Sequence, residues 1–185
     1  MPHKLYEIKE WLWYYGNILY NAVPVELYDG LLFIFCIVSV VLIVYCGKVR
    51  GKEKIAVLLL VEYVLLIYCS TVLYRPVLDN RIYHFTPFWS YRAILYEGNN
   101  LLIADNILNI AVFLPVGIFL CITYSRIKIW VVFVVGMCIS VSIETLQFVF
   151  KNGVSETDDV MHNTIGCIVG WGGCKLIRVF FEKQN

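Results

Sequence analysis

The most constraining feature of this sequence is that its apolar residues are gathered into long blocks. Crossing a bilayer takes about 20 mostly apolar residues. Five blocks are long enough: 30–47, 55–74, 106–124, 129–150 and 159–180. Lipid offers no hydrogen-bond partners to the backbone, so blocks of this length must be helical. The sequence therefore predicts an all-α, polytopic bundle of about five transmembrane helices in a cell membrane.

Composition supports a membrane protein and excludes one other class. The chain is 60% hydrophobic and 16% charged, whereas soluble domains are about 45–50% apolar and about 25% charged. Its net charge of +1 leaves no basic face, so we expect membrane lipids and no nucleic acid as partners. The seven cysteines lack a metal-finger spacing and are predicted to be small core residues. No repeat or linker divides residues 1–185, which we interpret as one domain.

Two aromatic segments are expected at the membrane surface. Segment 11–28 is rich in Trp and Tyr and is broken by Pro24, which favours an N-terminal interfacial helix. Whether this segment instead spans the membrane stays open, and so does the side of the membrane on which the N-terminus lies. The second segment, His84 to Trp89, lies in the long loop 75–105 and is interpreted as an interface anchor rather than a lid.

Orientation follows from lysine and arginine in short loops, which concentrate on the cytoplasmic side. The turn 48–54 carries four basic residues, whereas 151–158 carries only Lys151. This bias places 48–54, 125–128 and the C-terminus in the cytoplasm. Loop 75–105 and connector 151–158 then face outward.

Polar side chains recur near the outward edge of three blocks. Residues three or four apart share a helix face, and the polar positions follow that spacing. Glu144 lies about 9 Å below the end of its block, Asn163 about 6–8 Å below the start of its own, and Asn109 about one turn in. We therefore expect three helices to bring together Asn106 and Asn109; Ser140, Glu144 and Gln147; and Asp158, Asp159, His162 and Asn163.

Acids within a bilayer are costly and mark function by default. The alternative is that these groups only hydrogen-bond the helices together. Asp158 and Asp159 also suit the first turn of a helix, whose dipole favours negative charge. Glu144 has no such explanation, since Ser, Asn or Gln would serve as glue. Glu62 lies on another block, where it could pair with an arginine or stay protonated.

The candidate catalytic residues are Glu144, Asp159, Asp158 and His162; the candidate binding residues are Asn106, Asn109, Ser140, Gln147 and Asn163. Carboxylates and a histidine can hold a divalent cation, act as general base and acid on a polar head group, or line a binding pocket. The residues alone leave these open, so neither a metal, a cofactor nor an enzymatic reaction is assigned. Glu144 would be base or ligand, and Asp159 its partner.

At these residues the chain resembles the VanZ family of bacterial membrane proteins. The matching segments are PFWSY at 87–91, DNILNIAVFLPVGIFL at 105–120, SVSIETLQ at 140–147 and DDVMHNTIGCIVG at 158–170. The resemblance covers roughly residues 70–175. One departure stands in the connector, where many members carry an arginine and this chain has Gly153 to Glu156.

The resemblance implies a link to glycopeptide resistance, chiefly to teicoplanin, in Gram-positive bacteria. It also implies a partner at the outer leaflet, either a cell-wall precursor or the glycopeptide itself. The alternative is a non-enzymatic membrane scaffold or drug-shielding protein whose polar band is structural. A small transporter is less favoured, because the sequence shows no inverted repeat.

Overall fold

The computed structural model describes residues 51–73 and 75–182. Its elements in chain order are α1 (Lys52–Tyr68), a π-helical turn (Cys69–Leu73), β1 (Ile82–His84), α2 (Trp89–Glu97), α3 (Leu101–Thr123), α4 (Ile129–Phe150), β2 (Val154–Glu156) and α5 (Thr157–Glu182). The predicted block 30–47 and segment 11–28 lie outside the described residues.

The predicted all-α membrane bundle is confirmed. Within the described residues, four helical segments are long and apolar enough to span: Ile55–Leu73, Leu101–Thr123, Ile129–Phe150 and Thr157–Phe181. The main correction concerns α3, which begins five residues before the predicted block. Asn109 therefore lies eight residues into the helix, about 12 Å rather than one turn. Asp105 and Asn106 were expected at the helix edge and instead lie inside it.

Helices α3 and α5 pack against each other with their backbones in close contact. Gly166 and Gly170 of α5 face the carbonyl oxygens of Ile110 and Leu114, where a Cβ atom would collide. Gly117 of α3 makes the reciprocal approach to α5. Small residues let membrane helices approach in this way, so the glycines bring the polar ends of α3 and α5 side by side.

The apolar core lies below the polar end of the bundle. It is built from buried side chains of α1, the π-helical turn, α3, α4 and α5: Ile67, Val72, Phe113, Val116, Leu120, Val132, Ile143 and Cys167. The Tyr63 hydroxyl donates to the Val112 carbonyl at 2.9 Å and joins α1 to α3. Cys121 is buried as predicted, but Cys138 is exposed, because it lies on the outer face of α4.

The two connectors at the polar end pair with each other. β1 runs parallel to β2, with Tyr83 opposite Ser155. This short sheet was not predicted, since three-residue strands carry too little alternation to be recognised. The pairing draws loop 75–100, which includes α2, over the ends of α4 and α5. Both connectors therefore lie on the same side of the bundle, as the predicted topology requires.

Candidate functional site

Glu144 lies where β2 meets α4. Its side chain is only 7% exposed, and its Oε2 accepts a hydrogen bond from the Glu156 backbone N–H at 2.8 Å. The Ser155 hydroxyl donates to the Glu144 carbonyl oxygen at 3.0 Å. Within the described part of the chain, the second carboxylate oxygen of Glu144 has no hydrogen-bond partner. One oxygen thus holds the connector, and the other remains available.

An open cleft of about 350 Å³ begins at this carboxylate. Its walls come from α4, β2, the start of α5 and the loop after β1. The apolar lining side chains include Phe85, Val141, Phe148 and Val160, and both Glu144 and Glu156 reach it. Volumes of about 300–1,000 Å³ are usual for small-molecule sites, so the cleft can admit part of a ligand.

Glu156 is a site residue that sequence reasoning missed. Burial raises the pKa of its carboxyl to about 8, and the negative charges of Asp159 and Asp158 add to that rise. The Trp89 indole N–H, which donates to Glu156 Oε2 at 3.2 Å, opposes it. The sequence carried one signal for this residue, an acid two positions before Asp158 in a connector that must return to the bundle.

Asp159 stands between α3 and the Glu144 carboxylate. It accepts a hydrogen bond from Asn109 Nδ2 at 2.7 Å, and its charge is close enough to act on Glu144. The positive charge of Arg75 acts on both carboxylates. Its guanidinium Nη1 lies 3.1 Å from where a Cβ of Gly153 would stand. Arg75 was also missed, and it places a guanidinium beside the connector that lacks an arginine of its own.

Asp158 is turned away from this group. It is fully buried, and its carboxylate accepts hydrogen bonds from the Phe88 N–H at 2.6 Å, the Ser90 N–H at 2.9 Å and the Ser90 hydroxyl at 2.7 Å. Asn106 Nδ2 donates to the same Ser90 hydroxyl at 3.3 Å. The expected first-turn position of Asp158 in α5 is correct, but its carboxylate caps α2. Asp158 and Asn106 therefore hold loop 75–100 against the bundle.

Three further predicted residues join helices in separate pairs. Asn163 Nδ2 donates to Ser140 Oγ at 2.8 Å and links α5 to α4. Gln147 Nε2 donates to the Thr71 carbonyl at 2.9 Å, which ties α4 to the π-helical turn. Beside it, Asn152 Nδ2 donates to the Val72 carbonyl. These amides satisfy carbonyl oxygens that the π-helical turn exposes.

His162 packs against α2 rather than against Glu144. It is 1% exposed, and its Nε2 lies 2.7 Å from the Tyr91 hydroxyl. Its Nδ1 has no partner among the described residues. His162 does not line the Glu144 cleft.

The predicted band is therefore divided. Glu144, Asp159 and Asn109 come together with Glu156 and Arg75, whereas the other predicted residues form separate pairs around them. In residues 51–73 and 75–182, no three His, Cys, Asp or Glu side chains are grouped so that they could hold a metal ion. The arrangement can supply a base, an acid or hydrogen-bond acceptors to a ligand in the cleft.

The fold and this site define a polytopic membrane protein with a carboxylate-lined cleft at one end of its helix bundle. Residues 31–178 match the VanZ/LLP1 family, and the chain belongs to that family. Protein VanZ of Enterococcus faecium is 30% identical over 77 residues, a stretch covering 42% of this chain and 46% of the enterococcal protein. The match thus spans about half the length of that curated relative. No solved structure matches this chain significantly.

Proposed function

We propose that this protein binds or acts on a cell-envelope component at the outer leaflet and that this role is linked to teicoplanin resistance. The observation that carries the proposal is Glu144, an acid within a membrane-spanning helix that is 7% exposed and reaches an open cleft. Family membership and the relative named Protein VanZ support the link to resistance.

The cleft offers acceptor chemistry to such a component. Glu144 would act as base or ligand through the oxygen that has no partner among the described residues. Asp159 would share the proton or the positive charge that Glu144 receives, and Asn109 holds Asp159 in place through its 2.7 Å bond. Catalytic acids and bases work best when burial and neighbouring charges bring their pKa near the working pH.

The outer leaflet follows from the distribution of basic residues. The basic residues at the end of the bundle opposite to the cleft are Lys52, Lys54, Arg126, Lys128, Lys175 and Arg178, against Arg75, Arg81, Arg92 and Lys151 at the cleft end. Cytoplasmic loops carry the excess of Lys and Arg, so the cleft would open on the outer side. A cysteine introduced at the exposed Tyr96 of α2 tests this, because an impermeant thiol reagent should label it in intact cells.

The direct test is Glu144→Gln, which keeps the acceptor for the Glu156 N–H and removes the acid. We expect loss of teicoplanin protection in a sensitive host, with normal membrane abundance and an unchanged melting temperature. Glu62→Gln is the matched control, because it makes the same chemical change at a half-buried position on α1. Full protection by a normally inserted Glu144→Gln protein would refute the proposal.

A second candidate is a scaffold or drug-shielding protein without chemistry. The bonds Asn163 to Ser140 and Asn109 to Asp159 favour it, since both link neighbouring helices. Under this candidate, Glu144→Gln and Asp159→Asn would lower the melting temperature and the protection together. The first proposal instead requires that Glu144→Gln separates the two measurements.

A further inference from the structure

A groove continues from the Glu144 cleft down the outer face of α4. Its lower part has a volume of about 500 Å³ and is lined by Met137, Cys138, Val141, Ser142, Thr145 and Leu146. The cleft and the lower groove share Val141 and Thr145, so they form one track. Val141 is 45% exposed, and the track is open along this side of the described helices.

Polarity changes along this track in the direction of the membrane normal. Its carboxylate end lies about 9 Å below Phe150, and Met137 lies about 20 Å below it. The hydrocarbon core is about 30 Å thick, so the apolar end reaches the middle of the bilayer and about 5 Å beyond it. A polar end near the surface and an apolar end at mid-depth match the shape of a lipid lying in one leaflet.

The charges at the polar end select the head group. Glu144 is buried, and one of its carboxylate oxygens has no hydrogen-bond partner among residues 51–73 and 75–182. Glu156 and Asp159 stand beside it, and Arg75 is a neighbouring cation that acts on it. An ammonium donates three hydrogen bonds and accepts none, which suits this set of acceptors. A phosphate alone would meet carboxylates and be repelled.

We propose that a membrane lipid with a primary ammonium in its head group occupies the track, with the ammonium at Glu144 and Glu156 and one hydrocarbon chain along α4 toward Met137. This inference rests on the proposed function and names the chemical class of the envelope component that the cleft receives. The hydrocarbon chain of the lipid contributes affinity through apolar contact with α4, and the ammonium of the head group contributes selectivity.

Photo-crosslinking in nanodiscs of phosphatidylglycerol tests the inference with the full-length protein. The two probes are phosphatidylethanolamine and phosphatidylglycerol, each carrying a diazirine in one acyl chain and each added at a few mole per cent. We expect the ethanolamine probe to label Met137 and Cys138 saturably and about tenfold more than the glycerol probe, as one charge-assisted hydrogen bond allows. Ile107 and Ile177, exposed on α3 and α5, should be labelled equally and without saturation.

Two variants separate the head group from the chain. The double variant Glu144→Gln with Glu156→Gln should bring the preference between the probes to about one, because an amide, unlike a carboxyl group, cannot ionise to pair with an ammonium. The acyl chain of either probe should still label Met137. Val141→Trp should fill the shared segment and remove labelling at Met137 and Cys138 from both probes, with Ile107 and Ile177 unchanged.

Equal, unsaturable labelling of the groove by both probes would show only surrounding bulk lipid and overturn the inference. So would a groove that no probe labels because residues 1–50 or a second copy of the chain cover it. These failures differ from failure of the proposed function. If Glu144→Gln keeps teicoplanin protection, that measurement refutes the proposed function. If both probes label the groove equally while Glu144→Gln abolishes protection, only the lipid site is refuted.

Discussion

Asp158→Asn tests the division between residues that hold the fold and residues that face the cleft. The Asp158 carboxylate caps α2 by accepting from the N–H groups of Phe88 and Ser90 and from the Ser90 hydroxyl. Phe88 has a left-handed backbone with φ of 62°, a conformation that costs a bulky residue about 1–3 kcal/mol. The bond to its N–H helps to hold it there.

The magnitude follows from the acceptors that asparagine lacks. An asparagine side chain has one accepting oxygen, which can replace only one of the two carboxylate oxygens. Its NH2 group must then face either the Phe88 N–H or the two Ser90 donors. A buried donor without an acceptor costs about 1–3 kcal/mol, and the remaining bonds lose their charge. We expect α2 to detach more easily by about 2–4 kcal/mol, which is about 30- to 700-fold in the opening equilibrium.

Hydrogen exchange measured by mass spectrometry on peptides covering 86–97 reports this opening directly. Exchange should accelerate by about two orders of magnitude at Phe88 and Ser90 in Asp158→Asn. Asp159→Asn is the matched control, because Asp159 bonds to Asn109 and not to α2, and it should leave these amides unchanged. Unchanged protection in Asp158→Asn would refute the capping role and restore Asp158 as a candidate for the chemistry.

Three further outcomes follow from packing and charge. Gly166→Ala should lower the melting temperature and the monodisperse yield, since its Cβ would meet the Ile110 carbonyl, whereas Gly172→Ala has open space around it and should be neutral. Asn152→Leu should destabilise the fold by about 1–3 kcal/mol in denaturant unfolding, because it leaves the Val72 carbonyl unsatisfied. Glu156→Gln should gain thermal stability relative to the unsubstituted protein as pH rises from 4.5 to about 8. The pKa of Glu156 is about 8 in the folded protein and 4.5 in the unfolded chain, so the stability of the unsubstituted protein falls between these pH values and then levels off.

The helices of the bundle were predictable because hydropathy reports their one requirement, an apolar surface of the right length. The block 129–150 coincides with α4, which Lys128 and Lys151 flank. The start of α3 was not predictable from hydropathy. Asp105 and Asn106 read as a surface edge in the sequence, but α2 and β2 fold over this end of the bundle and allow polar residues to lie inside the helix.

The site was predicted in part for the same reason. Helical spacing placed Glu144, Asp159 and Asn109 at the polar end of the bundle, because the period of a helix is regular. Glu156 and Arg75 come from connectors. A connector has no regular spacing of side chains, so the sequence does not predict which helix end it crosses. Their places depend on the β1–β2 pairing and on Gly153, neither of which hydrophobic patterns reveal.

Position 144 carries an acid, although an amide could accept the hydrogen bond that its side chain makes. A polar group in apolar surroundings is retained without further cause when its hydrogen bonds are complete, and Asp158 meets that condition with three donors. Glu144 does not meet it within the described part of the chain, since its bond to the Glu156 N–H uses only one oxygen. Glutamine would accept that same bond and would cost less to bury. The proposed function explains an acid at this position by a proton or a cation that reaches its second oxygen through the cleft, and the Glu144→Gln measurement tests that explanation.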